Sequence, residues 1–414
     1  MDAAGRQSAY EVAEDMRADG IKVLAVAYST ASSDWGDLVL CGFLGFFDRP
    51  KASARAAVRA LSDLSVEVRV LTGDSASVAR STCSRLGIPA DSVITGSMLD
   101  AMEESEALVR VGRTRVFAEL TPAQKAHIVS LIRLSGHTVG YIGDGVNDVP
   151  ALTSADVGIV VDSAAAESKK VADLVLLERD LGVVAEGVRE GRASFANASK
   201  YIRIASSSNF GNICSVAASS IFLPFLPATA TQLLLLNLLY DATCLALSWD
   251  NVDGEEIARP KAWSGKGLGS FMLHFGFASS AFDIITFAIL LLGVCPAVCG
   301  GSFATLGAAG QAAFIATFQT GWLLECAWTE SLVLLVLRAR NVRHGDRPCR
   351  PLVIMVATML IASALLALSP AAQLLGLATL PMWYLGIVAL LSVLYLVVVS
   401  TIKRVYLSRS SSLF

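Results

Sequence analysis

Two aspartates four residues apart, Asp144 and Asp148, sit in the segment 139–152, VGYIGDGVNDVPAL. Carboxylates are the hard oxygen ligands that Mg²⁺ takes beside phosphate. Gly143 and Gly145 let backbone approach a charged ligand closely. A second apolar run ends at Thr72, Gly73 and Asp74, where a hydroxyl and backbone amides can hold phosphate oxygens. Lys125 falls in the first turn of a helix opened by Thr121 and Pro122. A cation there opposes the helix dipole unless an anion meets it. Taken singly, the aspartates also read as an acidic surface turn and Lys125 as a solvated lysine. Together, Thr72, Gly73, Asp74, Lys125 and Asn147, with Asp144 and Asp148 as metal ligands, compose a site for phosphoryl transfer.

Those residues need elements to hold them. The pattern predicts a helix over 8–19, a strand over 21–28, a polar loop over 29–37, and a strand over 38–47 ending at Asp48-Arg49-Pro50. A helix follows (51–63), then a strand (66–71) and a helix (75–86) stopped by Gly87. Another helix (97–112), a strand (114–117), the helix after Thr121 and a strand (139–142) complete the series. Such alternation reads as a doubly wound parallel sheet, with ligands at the carboxyl ends of its strands.

The second half differs in composition. Of 414 residues, 54% are hydrophobic, and the excess lies in residues 201–414. A soluble domain is therefore followed by a membrane domain. The net charge of −3 argues against a nucleic-acid partner. The eight cysteines are scattered; Cys295 and Cys299 lack a second ligand pair and read as small loop residues. The N-terminus has no apolar signal region, and no internal repeat is present.

Apolar runs at about 204–226, 229–248, 271–294, 312–337, 352–369 and 382–402 predict six spans. Connections at 223–230, 295–311 and 370–381 carry no Lys or Arg. Those at 249–270, 338–351 and 403–414 carry Arg259, Lys261, Lys266, Arg338, Arg340, Arg343, Arg347, Arg350, Lys403, Arg404 and Arg409. The alternation puts the basic loops, the soluble domain and the C-terminus on the cytoplasmic side. Polar residues in spans are costly and usually functional. Asn209, Asn212, Asn237 and Asp241 are candidates for a transported cation, and Asn237 and Asp241 share a helix face. Asp241 also reads as an interfacial residue. Asp283, Glu325 and Glu330 are weaker candidates that read equally as interhelical hydrogen bonders.

The order Thr-Gly-Asp (72–74), Thr-Pro-x-x-Lys (121–125) and Gly-Asp-Gly-x-Asn-Asp-x-Pro-Ala-Leu (143–152), continuing through 155–159, resembles the P-type cation-transporting ATPases. The resemblance covers essentially all of the chain. It implies an α/β haloacid-dehalogenase-like, Rossmann-type phosphorylation domain, followed by an all-α transmembrane bundle of about six helices. The implied parts are the tail of a nucleotide-binding domain (1–36), the phosphorylation domain (37–180), a stalk helix (181–203), the transmembrane domain (204–402) and a cytoplasmic tail (403–414). ATP and Mg²⁺ are the implied cofactors, membrane lipid the surroundings, and the plasma (inner) membrane the location. The stretches 207–212, 223–227, 237–241 and 249–253 look like the bacterial magnesium-transporting branch. In calcium and sodium pumps a Thr usually stands where this chain has Tyr240.

The family's Asp-Lys-Thr-Gly-Thr phosphoacceptor motif occurs nowhere in the 414 residues. The chain is thus expected to be the C-terminal part of a pump, inactive without the missing N-terminal part. A non-catalytic truncated partner or regulator is the alternative, and a pump for another cation a further one. A membrane-tethered phosphatase would need an Asp-x-Asp pair after a strand, which is lacking.

Overall fold

The computed structural model describes residues 3–29, 38–46, 51–263, 265, 267–339 and 347–409. The expected turn at Asp48-Arg49-Pro50, most of the polar loop, Lys266, Arg340 and Arg343 lie outside the described residues. The chain divides into two compact units, Met1–Arg189 and Glu190–Phe414.

In the first unit, α1 (Ala3–Ala18) leads into β1 (Lys22–Ser29), which pairs antiparallel with β2 (Leu38–Phe46). The expectation of parallel strands throughout is corrected here. Parallel pairing needs a crossover of a dozen residues or more, and the link between β1 and β2 is shorter. The parallel part begins after α2 (Ala52–Asp63), with β3 (Val70–Leu71), α3 (Ala76–Leu86) and β4 (Val93–Thr95). Gly87 stops α3 at φ 77°, as a glycine after a helix does. The single helix expected over 97–112 is two, α4 (Gly96–Asp100) and α5 (Glu104–Arg113). Then follow β5 (Val116–Ala118), α6 (Pro122–Leu134), β6 (Gly140–Ile142), a 3₁₀ turn (Val146–Asp148), α7 (Val149–Ser154), β7 (Val157–Val161), α8 (Ala166–Val171) and β8 (Leu174–Leu176). Two parallel three-stranded sheets result, ordered β3-β5-β4 and β6-β7-β8. Phe117 on β5 is fully buried against Ile128 and Leu131 of α6. Each such side chain contributes about 1.5–3 kcal/mol on burial. Leu71, at the carboxyl end of β3, and Val139, just before β6, pack against the cores of both sheets.

The second unit is helical. It takes up α9 (Leu181–Ser219), whose first residues belong to the first unit, then α10 (Ala230–Cys244) and α11 (Gly254–Ile257). Next, α12 (Leu268–Phe271), α13 (Phe277–Ile289) and α14 (Cys295–Cys299) are joined through π-helical turns at Met272–Gly276 and Leu290–Val294. The last three are α15 (Ala308–Leu337), α16 (Arg350–Leu368) and α17 (Met382–Arg409). Among the described residues five helical segments are long and apolar enough to cross a membrane: Ala230–Trp249, Leu268–Thr305, Ala308–Leu337, Arg350–Leu368 and Met382–Ser408. The sixth expected span is the second half of α9, where Ser206, Ser207, Ser208, Asn209 and Asn212 dilute the apolar content. The expected stalk and this segment form one continuous helix of 39 residues. α15 is the hub of the bundle: 78% of its most apolar stretch is buried, against 28% for those of α16 and α17.

Candidate functional site

The loops after β3, β5 and β6 are tied together by hydrogen bonds. Thr72 N–H donates to Phe117 O, and its Oγ1 accepts from Asp74 N–H at 3.1 Å. Leu120 N–H donates to Thr72 O, and Glu119 N–H to Asp74 O. Glu119 makes this turn in the left-handed region, at φ 56°. Thr121 then opens α6 with a capping box: its Oγ1 accepts from Gln124 N–H at 3.3 Å, and Gln124 Oε1 from Thr121 N–H at 2.8 Å. That fixes the first turn of α6 and, with it, Lys125. The Lys125 ammonium donates to Asp148 Oδ1 at 2.8 Å, and both side chains are 14% exposed. The anion expected for Lys125 is thus Asp148 itself.

Asp148 reaches that position because Gly143 has no side chain. A Cβ there would stand 2.6 Å from Asp148 Cβ. The turn is pinned behind: Ala165 N–H donates to Asp144 O, and Ser168 Oγ to Gly145 O at 2.9 Å. Tyr141, a partner the sequence reading passed over, donates its hydroxyl to Asp148 Oδ1 at 2.8 Å. The one available signal was a hydroxyl-bearing residue within an apolar strand two residues before the glycine turn. Burial pushes the Asp148 carboxyl up. The bonds from Lys125 and Tyr141, the lysine charge and a backbone bond at Gly145 outweigh it, so its pKa lies below the usual 3.8. Tyr141 is raised, by burial first and then by the Asp148 charge.

The donor set fits a hard divalent cation. Lys125 and Tyr141 both bond Oδ1 of Asp148, leaving Oδ2, and Asp144 holds an exposed carboxylate on the same turn. Asn147 is exposed beside them. Asp74 instead forms an ion pair with Lys22 at 3.0 Å. A cavity of about 450 Å³ in this unit, lined by Arg55, Arg59, Glu67, Leu86 and Arg115 among others, shares no residue with the site.

In the helical unit the structure joins residues of α9, α13 and α15. Asp283 is buried and accepts from Ser215 Oγ at 2.5 Å, Trp322 Nε1 at 2.8 Å and Cys326 Sγ at 3.5 Å. Ligand atoms of Asp283, Glu325 and Cys326 lie within 4.8 Å of one another. Asn212 Nδ2 donates to Glu330 at 2.8 Å, while its buried Oδ1 has no hydrogen-bond partner. Asn209, Asn237 and Asp241 are exposed and stand outside this group; Tyr201 donates to Asp241 at 3.2 Å. Ser215, Trp322 and Cys326 were not singled out, since nothing local marks their convergence on Asp283. Cys295 and Cys299 are free thiols on α14.

Comparison with known proteins agrees in both units. Residues 7–156 match the family model of haloacid dehalogenase-like hydrolases, and residues 225–405 that of the cation transporting ATPase C-terminus. The chain is 38% identical over 412 residues to "Magnesium-transporting ATPase, P-type 1" of Salmonella typhimurium strain LT2, covering 97% of this chain and 44% of that protein. Its counterpart in Escherichia coli K12 is 38% identical over 96% of this chain and 44% of its own length. "Calcium-transporting ATPase 1" of Yarrowia lipolytica is 31% identical over 62% of this chain and 29% of its own. The chain belongs with the P-type ATPases. It pairs a haloacid-dehalogenase-like domain with a multi-pass membrane region, and it spans less than half the length of the magnesium-transporting relatives it matches.

Proposed function

We propose that this chain serves ATP-driven Mg²⁺ transport through a phosphoenzyme, supplying the phosphate clamp, the catalytic Mg²⁺ ligands and an ion path. The carrying observation is the Lys125–Asp148–Tyr141 constellation over the Gly143 turn. Asp144 and Asp148 would hold the catalytic Mg²⁺, which when bound neutralises charge on the transferring group. Lys125 and Tyr141 orient the Asp148 carboxylate and keep it ionised. Thr72 and the amides at Gly73 and Asp74 would receive phosphate oxygens, and the nucleotide would be ATP. The phosphoacceptor aspartate would come from a segment outside these 414 residues. In support, β1 and β2 expose Leu24, Tyr28, Leu38, Leu44 and Phe46, an apolar surface suited to such a segment.

Mg²⁺ as cargo would pass by Asn212, Asp283, Glu325 and Glu330, with Asn209, Asn237 and Asp241 at its approach. Hard carboxylate and amide oxygens fit that ion. The basic loops support a cytoplasmic placement of the first unit, with the helical unit in a plasma membrane. In the pump that carries this chain, Asp148→Ala is expected to abolish phosphoenzyme formed from ATP; a wild-type level would sink the site assignment. A second reading, a non-catalytic partner, is favoured by the lack of a phosphoacceptor motif. Adding the purified preceding segment of a relative to this chain discriminates: recovered phosphoenzyme supports the pump, and none supports the partner.

A further inference from the structure

Asp250, just past the end of α10, is fully buried together with two cations from distant helices. Arg338, at the end of α15, donates Nε to Asp250 Oδ2 at 2.6 Å. Lys200 of α9 stands 3.6 Å from the same oxygen. Cys349 N–H, at the start of α16, donates to Oδ1 at 3.2 Å. The carbonyl of Asp250 accepts from Asn197 Nδ2 at 2.9 Å. The second positive charge is absorbed by carbonyl oxygens: Lys200 donates to Asn251 O at 3.1 Å and Asn197 Oδ1 at 3.0 Å, and Arg338 Nη2 to Arg347 O at 3.1 Å. Four helices thus meet at one carboxylate.

Apolar contacts slip past one another with gradual loss. A buried charge that leaves its partner is stranded in a low dielectric, so this joint either holds or breaks. Its place along α9 gives it a mechanical meaning. Lys200 is the central residue of the 39 in α9. Asn212 lies twelve residues further, roughly 18 Å along a helix rising 1.5 Å per residue. One arm of α9 begins in the first unit, and the other carries Asn212 and Ser215 to Glu330 and Asp283.

We propose that Asp250 is a positioning residue that pins α9 at its midpoint to α15 and α16. The pin makes a fulcrum: displacement of the first arm is returned as opposite displacement of Asn212 and Ser215. The inference rests on the pump reading above.

The test uses Asp250→Asn and Lys200→Gln in the pump that carries this chain. Phosphoenzyme formed from ATP, ATP hydrolysis and Mg²⁺ transport are measured on one preparation. Phosphoenzyme is expected to persist while Mg²⁺ moved per ATP hydrolysed falls roughly tenfold, within the range of an ordinary coupling free energy. A merely structural role would lower all three in proportion and leave the ratio at the wild-type value; that result overturns the fulcrum. Lys200→Gln, which keeps the Arg338 bond, decides the matter if Asp250→Asn does not fold. A wild type that forms no phosphoenzyme overturns the pump reading, and the fulcrum with it.

Discussion

At Asp148 burial and hydrogen bonding act in opposite directions, and the bonds win. A depressed carboxyl contributes stability that is fully present above its unfolded pKa and is lost as pH falls through its folded one. Wild type is therefore expected to lose thermal stability below about pH 3.8, the ordinary value, more steeply than Asp148→Asn; parallel melting profiles from pH 6 to 3 would refute this. Lys125→Ala removes a charged donor and is expected to cost about 2 kcal/mol in denaturant unfolding of the first unit. Tyr141→Phe removes a second donor to the same oxygen. It is expected to raise the Asp148 pKa, read as a carboxyl chemical shift by NMR. The motif residues on either side of these bonds were legible because glycine, aspartate and lysine at that spacing have few other uses. Tyr141 was not, because a tyrosine in a strand usually only packs.

The capping box of α6 shows how an element positions chemistry. Thr121→Ala is expected to cost about 1 kcal/mol, the ordinary worth of a cap. It also frees the turn that carries Lys125, so phosphoenzyme should fall more than the melting temperature does. Gly96 supports the same turn from outside, where an added Cβ would meet Glu119 O at 2.6 Å and Gln124 Oε1 at 2.5 Å. In the helical unit Gly276 and Gly211 allow α9 to lie against the first π-helical turn. A Cβ on Gly276 would stand 3.0 Å from Ser207 O and 2.7 Å from Phe210 Cδ1. Such close approach by small residues is how membrane helices associate. Gly276→Leu is expected to destabilise the unit by about 1–3 kcal/mol through overpacking, read as earlier unfolding in detergent. Several helix ends were legible from caps and periodicity, but the short elements β4, β7, α8 and β8 were not anticipated, each being too short to show a period. The split of the 97–112 helix was missed because Thr95 caps its first turn with a side-chain bond to Met98 N–H, and the chain restarts at Glu104.

The whole molecule joins an α/β unit to helices whose hydropathy fits a bilayer. Loop charge gives its orientation a direct test. Glu255→Cys should react with an impermeant thiol reagent only after cells are opened, and Ser302→Cys in intact cells. The reverse pattern would invert the proposed topology. Two residues counted in that pattern have a different place: Arg338 is 2% exposed and belongs to the joint with Asp250, and Lys403 is buried in α17, donating to Val336 O.

The sequence alone marked short-range features: the glycine turns that carry Asp74 and Asp144, several helix starts, and the segments apolar enough to leave water. Each of those depends on residues a few positions apart. The tertiary structure decided which distant groups share a buried carboxylate. Asp250 meets Arg338 across 88 positions, Asn212 meets Glu330 across 118, and Ser215 meets Asp283 across 68. No periodicity encodes such meetings. They follow from the packing of helices around α15, where burying a polar group without a partner costs more than its side chain gains.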